Sequence, residues 1–236
     1  MPRKVPDDIT FDDAEQEVIF TRAALAADPD AEGFLPMTDG WMGLVDEART
    51  AERKARVMAA EADAQRTVAN SRLDQACVRF GDELFLDVSK DKTAPRWTKF
   101  FSHAVSRFVR QALPKQVQVV KGWIEAGSDP VLQKHKKDLS KWSDAADAAL
   151  TKTRATAVAR GDAWEKRAEM ADSLTRERDG LHEALAAHAR DKGLPRAWPD
   201  TFFRVERRGS GAETEAPETG APTAGESAPG EAPAGG

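Results

Sequence analysis

The stretch 41–62, WMGLVDEARTAERKARVMAAEA, decides the fold class through its spacing. Trp41, Leu44, Ala48, Ala51, Ala55, Met58 and Ala62 recur at steps of three and four. That is the seam expected of a helix packing nearly parallel or antiparallel to a neighbour. The stripe resumes after the polar Gln65 as Ala69, Leu73, Ala76, Phe80, Leu84 and Val88. The pattern predicts one helix from 39 to 89, roughly 75 Å long at 1.5 Å per residue. Its centre is alanine, so a partner helix has to come close to bury much surface.

Working outward, Thr10 with Asp13 three residues on predicts the N-cap of a shorter helix over 10–27, and DPDAEGFLP breaks it at 28–36. On the other side, Thr93 as cap and Pro95 in the first turn predict a helix over 94–113. Trp97, Phe100, Phe101, Ala104, Val105, Phe108, Val109 and Ala112 would form its apolar face. Pro114 ends it, and a short helix over 115–126 follows, with Gly127 placed to cap it. Asp129-Pro130 then reads as cap and first turn of a last helix running to Lys192, closed by Gly193 and Pro195. Its stripe is Leu139, Trp142, Ala146, Leu150, Ala157, Trp164, Ala171, Leu174, Leu181 and Leu185, with Gly161 as a site for a kink. Past Arg208 the chain turns to Gly, Glu, Ala, Pro, Thr and Ser without period, so 209–236 is expected to be a disordered acidic tail. The expected fold is all-α: an elongated, coiled-coil-like bundle of long amphipathic helices. It divides into an acidic segment with a short helix (1–38), two helical units (39–127 and 128–208) and the tail.

Those two units resemble each other. Sliding the chain by 101 residues pairs Trp41 with Trp142, Arg53 with Arg154, Ala62 with Ala163, Leu73 with Leu174 and Leu84 with Leu185, among ten identities. Each copy ends alike: Pro95-Arg96-Trp97 leads to Phe100-Phe101, and Pro195-Arg196-Ala197-Trp198 leads to Phe202-Phe203. An internal duplication is expected, each copy a long helix closed by an aromatic plug: Trp97, Phe100 and Phe101 in one, Trp198, Phe202 and Phe203 in the other.

Composition agrees with helices. Tyrosine is absent, 40% of residues are hydrophobic and 32% charged, which suits a folded chain. Cys77 is the single cysteine, leaving no intrachain disulfide or thiolate cluster, and it reads as a small buried hydrophobe. No apolar run reaches transmembrane length and the N-terminus lacks an apolar signal core, so the cytoplasm is the expected compartment. Abundant Ala, Arg, Gly and Glu beside one Asn (Asn70) and three Ile suggests a GC-rich bacterial genome.

Chemistry is hard to find. His103, His135, His182 and His188 are the only histidines, and none stands three residues after a glutamate as a di-iron bundle needs. They read as surface-facing helix residues. Phosphate-cradling glycine loops and nucleophile elbows are missing. No enzyme, cofactor or metal is therefore expected.

Charge segregation is the remaining signal. Residues 92–124 hold Lys92, Arg96, Lys99, Arg107, Arg110, Lys115 and Lys121 without one Asp or Glu, and Lys134, His135, Lys136 and Lys137 follow. Residues 7–32 carry nine acidic residues against Arg22 alone. Three accounts compete for the basic stretch. The plainest is neutralisation within the chain by the acidic N-terminal segment or tail. The second is a docking face for an acidic protein, with Lys99, His103, Arg107, Arg110, Lys115 and Lys121 as candidates. The third is nucleic acid or an anionic surface bound by a basic amphipathic helix over 94–121, which the pI of about 5.5 disfavours. The expected function is a helical scaffold or adaptor with a protein partner, and self-association is suggested by the weak stripe over 151–169.

Overall fold

In the computed structural model, which describes residues 4–204, the chain is all-α, with no strand among those residues. Helix α1 spans Phe11–Ala27, and a 3-10 segment, Glu32–Thr38, leads into α2, Trp41–Asp87. Two single turns, α3 (Pro95–Thr98) and α4 (Val105–Phe108), precede α5 (Leu113–Ala126). Helix α6 then runs over Pro130–Lys192, and a 3-10 turn closes the described chain at Trp198–Phe202.

The caps explain where these helices start and stop. Thr10 Oγ1 accepts from the Asp13 amide at 3.1 Å and donates to the Asp13 carboxylate at 2.6 Å. Asp129 accepts from the amides of Val131 and Leu132 at 2.9 and 3.2 Å, with Pro130 in the first turn. Gly193 ends α6 in the left-handed region at φ 70°, where the Leu194 amide reaches back to the Ala189 carbonyl at 2.8 Å. Gly161 does not interrupt α6, whose 63 residues form one continuous helix.

Helices α2 and α6 run antiparallel. Lys166 meets Glu47 near the start of α2, while Asp138 lies 3.8 Å from Arg79 and Lys134 meets Glu83 near its end. Every seventh residue of α2 from Ala48 is a buried alanine: Ala48, Ala55, Ala62, Ala69 and Ala76. From α6 come Ala146, Ala149, Thr156 and Ala163. The middle of this seam lies one residue away from the stripe read in the sequence. Ala149 is buried in place of Leu150, Thr156 in place of Ala157, and Ala163 in place of Trp164, which is 69% exposed. Two helices in close approach admit short side chains and turn out a bulky one. Thr156 fits because its hydroxyl donates to the Thr153 carbonyl at 2.8 Å and needs no other partner.

Two hydrophobic cores sit at opposite ends of the hairpin, and α2 alone is about 70 Å long. One gathers α1, the start of α2, Met170–Leu185 of α6, and Phe202 and Phe203. The other gathers Ala69–Leu84 of α2, the aromatic residues of 97–108, α5, and Val131–Ala146 of α6. We call them the acidic and the basic pole. Residues 4–48 contain twelve Asp and Glu against Lys4 and Arg22, whereas residues 69–146 contain fourteen Lys and Arg against nine Asp and Glu.

The single helix expected over 94–113 is not formed. The chain makes only α3 and α4 there, with a bend through Ser102, His103 and Ala104, and Pro114 begins α5 instead of ending a helix before it. A straight 20-residue helix would spread its aromatic residues over about 30 Å. Folded back in two turns, the segment delivers three phenylalanines to one spot. Trp123 lies 5.9, 5.1 and 4.9 Å from the rings of Phe100, Phe101 and Phe108, and Phe80 packs under them. Tertiary burial of the rings outweighs the helical propensity of a short segment.

Candidate docking surface

The fold-back that buries these rings also decides where the cations go. Gln116, fully buried, donates through Nε2 to the carbonyls of Val109 and Gln111 at 3.0 and 2.9 Å and pins the chain between α4 and α5. With the apolar side chains turned inward, Lys99, His103, Arg107, Arg110 and Lys115 are left exposed. His103 and Lys115, twelve residues apart in the chain, come together on the rim of a hollow of about 140 Å³ floored by Phe100, Phe101 and Phe108. Lys99 Nζ stands 5.6 Å from the centre of the Phe100 ring. None of these five enters an ion pair among the described residues. They surround a folded knob, not one face of a continuous helix.

Other basic residues of the stretch are engaged within the chain. Arg96 bridges Asp129 and Asp87. The hydrogen bond from Arg96 holds the Asp129 carboxyl below its ordinary range despite burial, and the same pair raises the guanidinium. Lys121 ties α5 to α6 through Asp147 at 2.7 Å and Asp144 at 3.7 Å, and the hydrogen bond to Asp147 raises its pKa. Lys134 and His135 share Glu83. Lys121 is thus an internal tether, while the other five candidates face solvent.

The acidic N-terminal segment does not neutralise this surface. It packs at the opposite pole, where Asp12 and Glu15 meet Arg49 and Glu17 meets Arg178. The tail expected to be disordered lies outside the described residues. Of the aromatic plug residues, Trp97, Phe100, Phe101, Phe202 and Phe203 are buried and Trp198 is half-buried, its indole N–H donating to Asp28 at 2.9 Å.

Three histidines depart from the surface-facing expectation. His135 is half-buried between Glu83 and Phe80, His182 contacts Asp200 at 2.9 Å, and His188 lies between Phe34 and Trp198. Cys77 is fully buried and its thiol is pushed up to about 12, chiefly by burial. Among the described residues no three His, Cys, Asp or Glu side chains gather as a metal site, and no helix is long and apolar enough to cross a membrane.

A groove at the acidic pole was not anticipated from the sequence. It measures about 850 Å³ and is lined by His182, Ala186, Ala189, Arg190, Arg196 and Asp200, among others. The one signal that could have found it lies in the register between the two halves: Ala186 and Ala189 stand where Phe85 and Val88 stand in the first.

The fold and surface define an antiparallel helical hairpin with a closed core at each end and a charged knob at one of them. No protein-family model matches the chain. A search of curated proteins and one of solved structures likewise return no match.

Proposed function

We propose that the protein is a non-enzymatic connector, a scaffold or adaptor that holds two end modules apart and docks an acidic protein partner at its basic pole. The observation that carries this reading is the group Lys99, His103, Arg107, Arg110 and Lys115, exposed on a folded knob and unpaired among the described residues. Cations without an ion pair among the described residues break none of the ion pairs seen there when a partner's carboxylates arrive, and they speed encounter. The hairpin behaves as a coiled-coil-like spacer whose alanine seam keeps the helices close.

The construction fits a duplicated unit: a short helix, a long helix, then a Pro-Arg turn and an aromatic plug. Antiparallel pairing places each plug on the pole where the other copy's long helix begins. The exposed valines Val57 and Val158 lend no support to self-association through the shaft. They are 50% and 64% exposed, and each stands two residues from a seam residue. At about 100° per residue they point outward from opposite sides of the hairpin and form no common apolar face.

The test is affinity purification of the tagged full chain from its cell of origin, beside a Lys99→Glu/Arg107→Glu/Arg110→Glu variant. The proposal expects an acidic protein that the variant loses, at a normal 260/280 nm absorbance ratio. Capture of nucleic acid that added salt removes would replace this reading with the polyanion one.

A further inference from the structure

The two poles close the ends of their long helices differently, and the difference leaves a site. At the basic pole Phe85 is half-buried against the core with the Trp97 ring 5.4 Å away, and Val88 packs beside it. Gly81 admits Val105 of α4 so closely that an added Cβ would lie 2.4 Å from a Val105 methyl. The end of α2 around Gly81, Phe85 and Val88 is thus covered by the chain itself.

At the acidic pole the same register positions are His182, Ala186 and Ala189. Trp198 does not stand in for Trp97: it packs on Phe202 at 4.9 Å and toward His188, its indole N–H held by Asp28. The groove of about 850 Å³ is what remains between the end of α6 and the turn 194–200. Its floor is apolar, with Ala186, Ala189 and Leu194. Its rim carries Arg190 and Arg196, both exposed and without an ion pair among the described residues. The groove's own lining, with Asp200 the one carboxylate, is thus positive although the N-terminal segment at this pole is acidic. The carboxylate on the far wall, Asp200, is turned to His182.

We propose that this groove binds an acidic peptide segment of a partner protein that inserts one bulky apolar side chain. The apolar side chain takes the volume that Phe85 and Val88 fill at the other pole, and flanking carboxylates meet Arg190 and Arg196. A guanidinium fork at the edge of an apolar slot favours a carboxylate with a hydrophobic neighbour over either feature alone. The groove has room for a bulky side chain together with the peptide backbone on either side of it. The site is independent of the basic pole, and its test is separable from that of the proposed function.

The experiment is a fluorescence-anisotropy titration of the full-length chain with a labelled Glu-Glu-Phe-Glu-Glu peptide, beside Glu-Glu-Glu-Glu-Glu at the same salt. Saturable binding of the first peptide is expected, at least tenfold tighter than the second. Arg190→Glu/Arg196→Glu should weaken it tenfold or more, and so should Ala186→Phe, which fills the groove without changing charge. The Lys99→Glu/Arg107→Glu/Arg110→Glu variant should bind as the parent does. Should Ala186→Phe disturb folding, the arginine pair, both exposed, still decides. Equal binding of the two peptides, no saturation at millimolar concentration, or loss of binding on reversal at the basic pole would each overturn the site.

Discussion

The basic pole is closed by clustered rings, and the acidic pole by an apolar core that also takes in a buried ion pair. Where α2 presents Cys77 and Phe80 to five clustered aromatic residues, α6 presents Arg178 and Leu181 at the matching register. Arg178 reaches Glu17 of α1 at 3.1 Å, their side chains only 8% and 14% exposed, and Phe203 lies over the guanidinium at 5.4 Å. Desolvation lowers the Arg178 pKa against the attraction of Glu17. The matching register positions thus carry two chemistries: an all-apolar ring cluster at one pole, and at the other a buried ion pair between α1 and α6 set in an apolar core. The first leaves its charges outside; the second leaves a groove.

The largest expected effect tests the ring core. Phe101→Ala removes a side chain in contact with Phe80, Trp97, Phe108 and Trp123. It should cost about 3–5 kcal/mol in urea-denaturation experiments. A loss under about 1 kcal/mol would mean that the fold-back of 95–108 is not the closure described here.

Next comes the buried ion pair. Arg178→Ala takes a buried cation from beside Glu17 and should cost about 3 kcal/mol, whereas the paired change Arg178→Met with Glu17→Leu should restore most of that loss. Single and double variants of equal stability would show that the pair does not hold α1 on α6.

A smaller effect separates the caps. Asp129→Ala removes the N-cap of α6 and the partner of Arg96, at a cost of about 1 kcal/mol near neutral pH. The folded carboxyl titrates below its unfolded value of about 3.9, so its stabilisation is present above that value and lost as pH falls through the folded pKa. The parent should therefore lose stability below about pH 4 more steeply than the variant, measured by thermal melts across that range; parallel profiles would remove Asp129 from the acid response.

The smallest concerns the helix ends. Helix α6 stops on Gly193, but α2 stops on Ser89 and Lys90 at φ 57° and 67°, a region costly for side chains. Lys90→Gly should raise stability by up to about 1 kcal/mol. A destabilised variant would show that the lysine side chain contributes more than the backbone strain takes away.

The reach of sequence reasoning follows the same contrast. Long helices were legible because the 3–4 spacing of α2 and the caps Thr10, Asp129 and Gly193 are local signals. The segment 94–113 was not. Its residues carry a valid helical stripe, yet the demand of Phe80 and Trp123 for rings at one point comes from 20 or so residues away on either side. The seam of α6 runs one residue from Leu150, Ala157 and Trp164, because the close approach of two helices selects small side chains over large ones. The basic residues were visible as a run, but which of them are spent, Arg96 on Asp129 and Lys121 on Asp147, depends on packing alone. The groove at Ala186 is a difference between two halves and leaves no motif.

The measurement that bears most directly on the connector is lysine cross-linking of the full chain to the partner it captures, read by mass spectrometry. The account predicts links concentrated on Lys92, Lys99 and Lys115 of the basic pole and sparse at Lys121, which Asp147 holds. Links spread evenly along the shaft, with no excess at the basic pole, would contradict it.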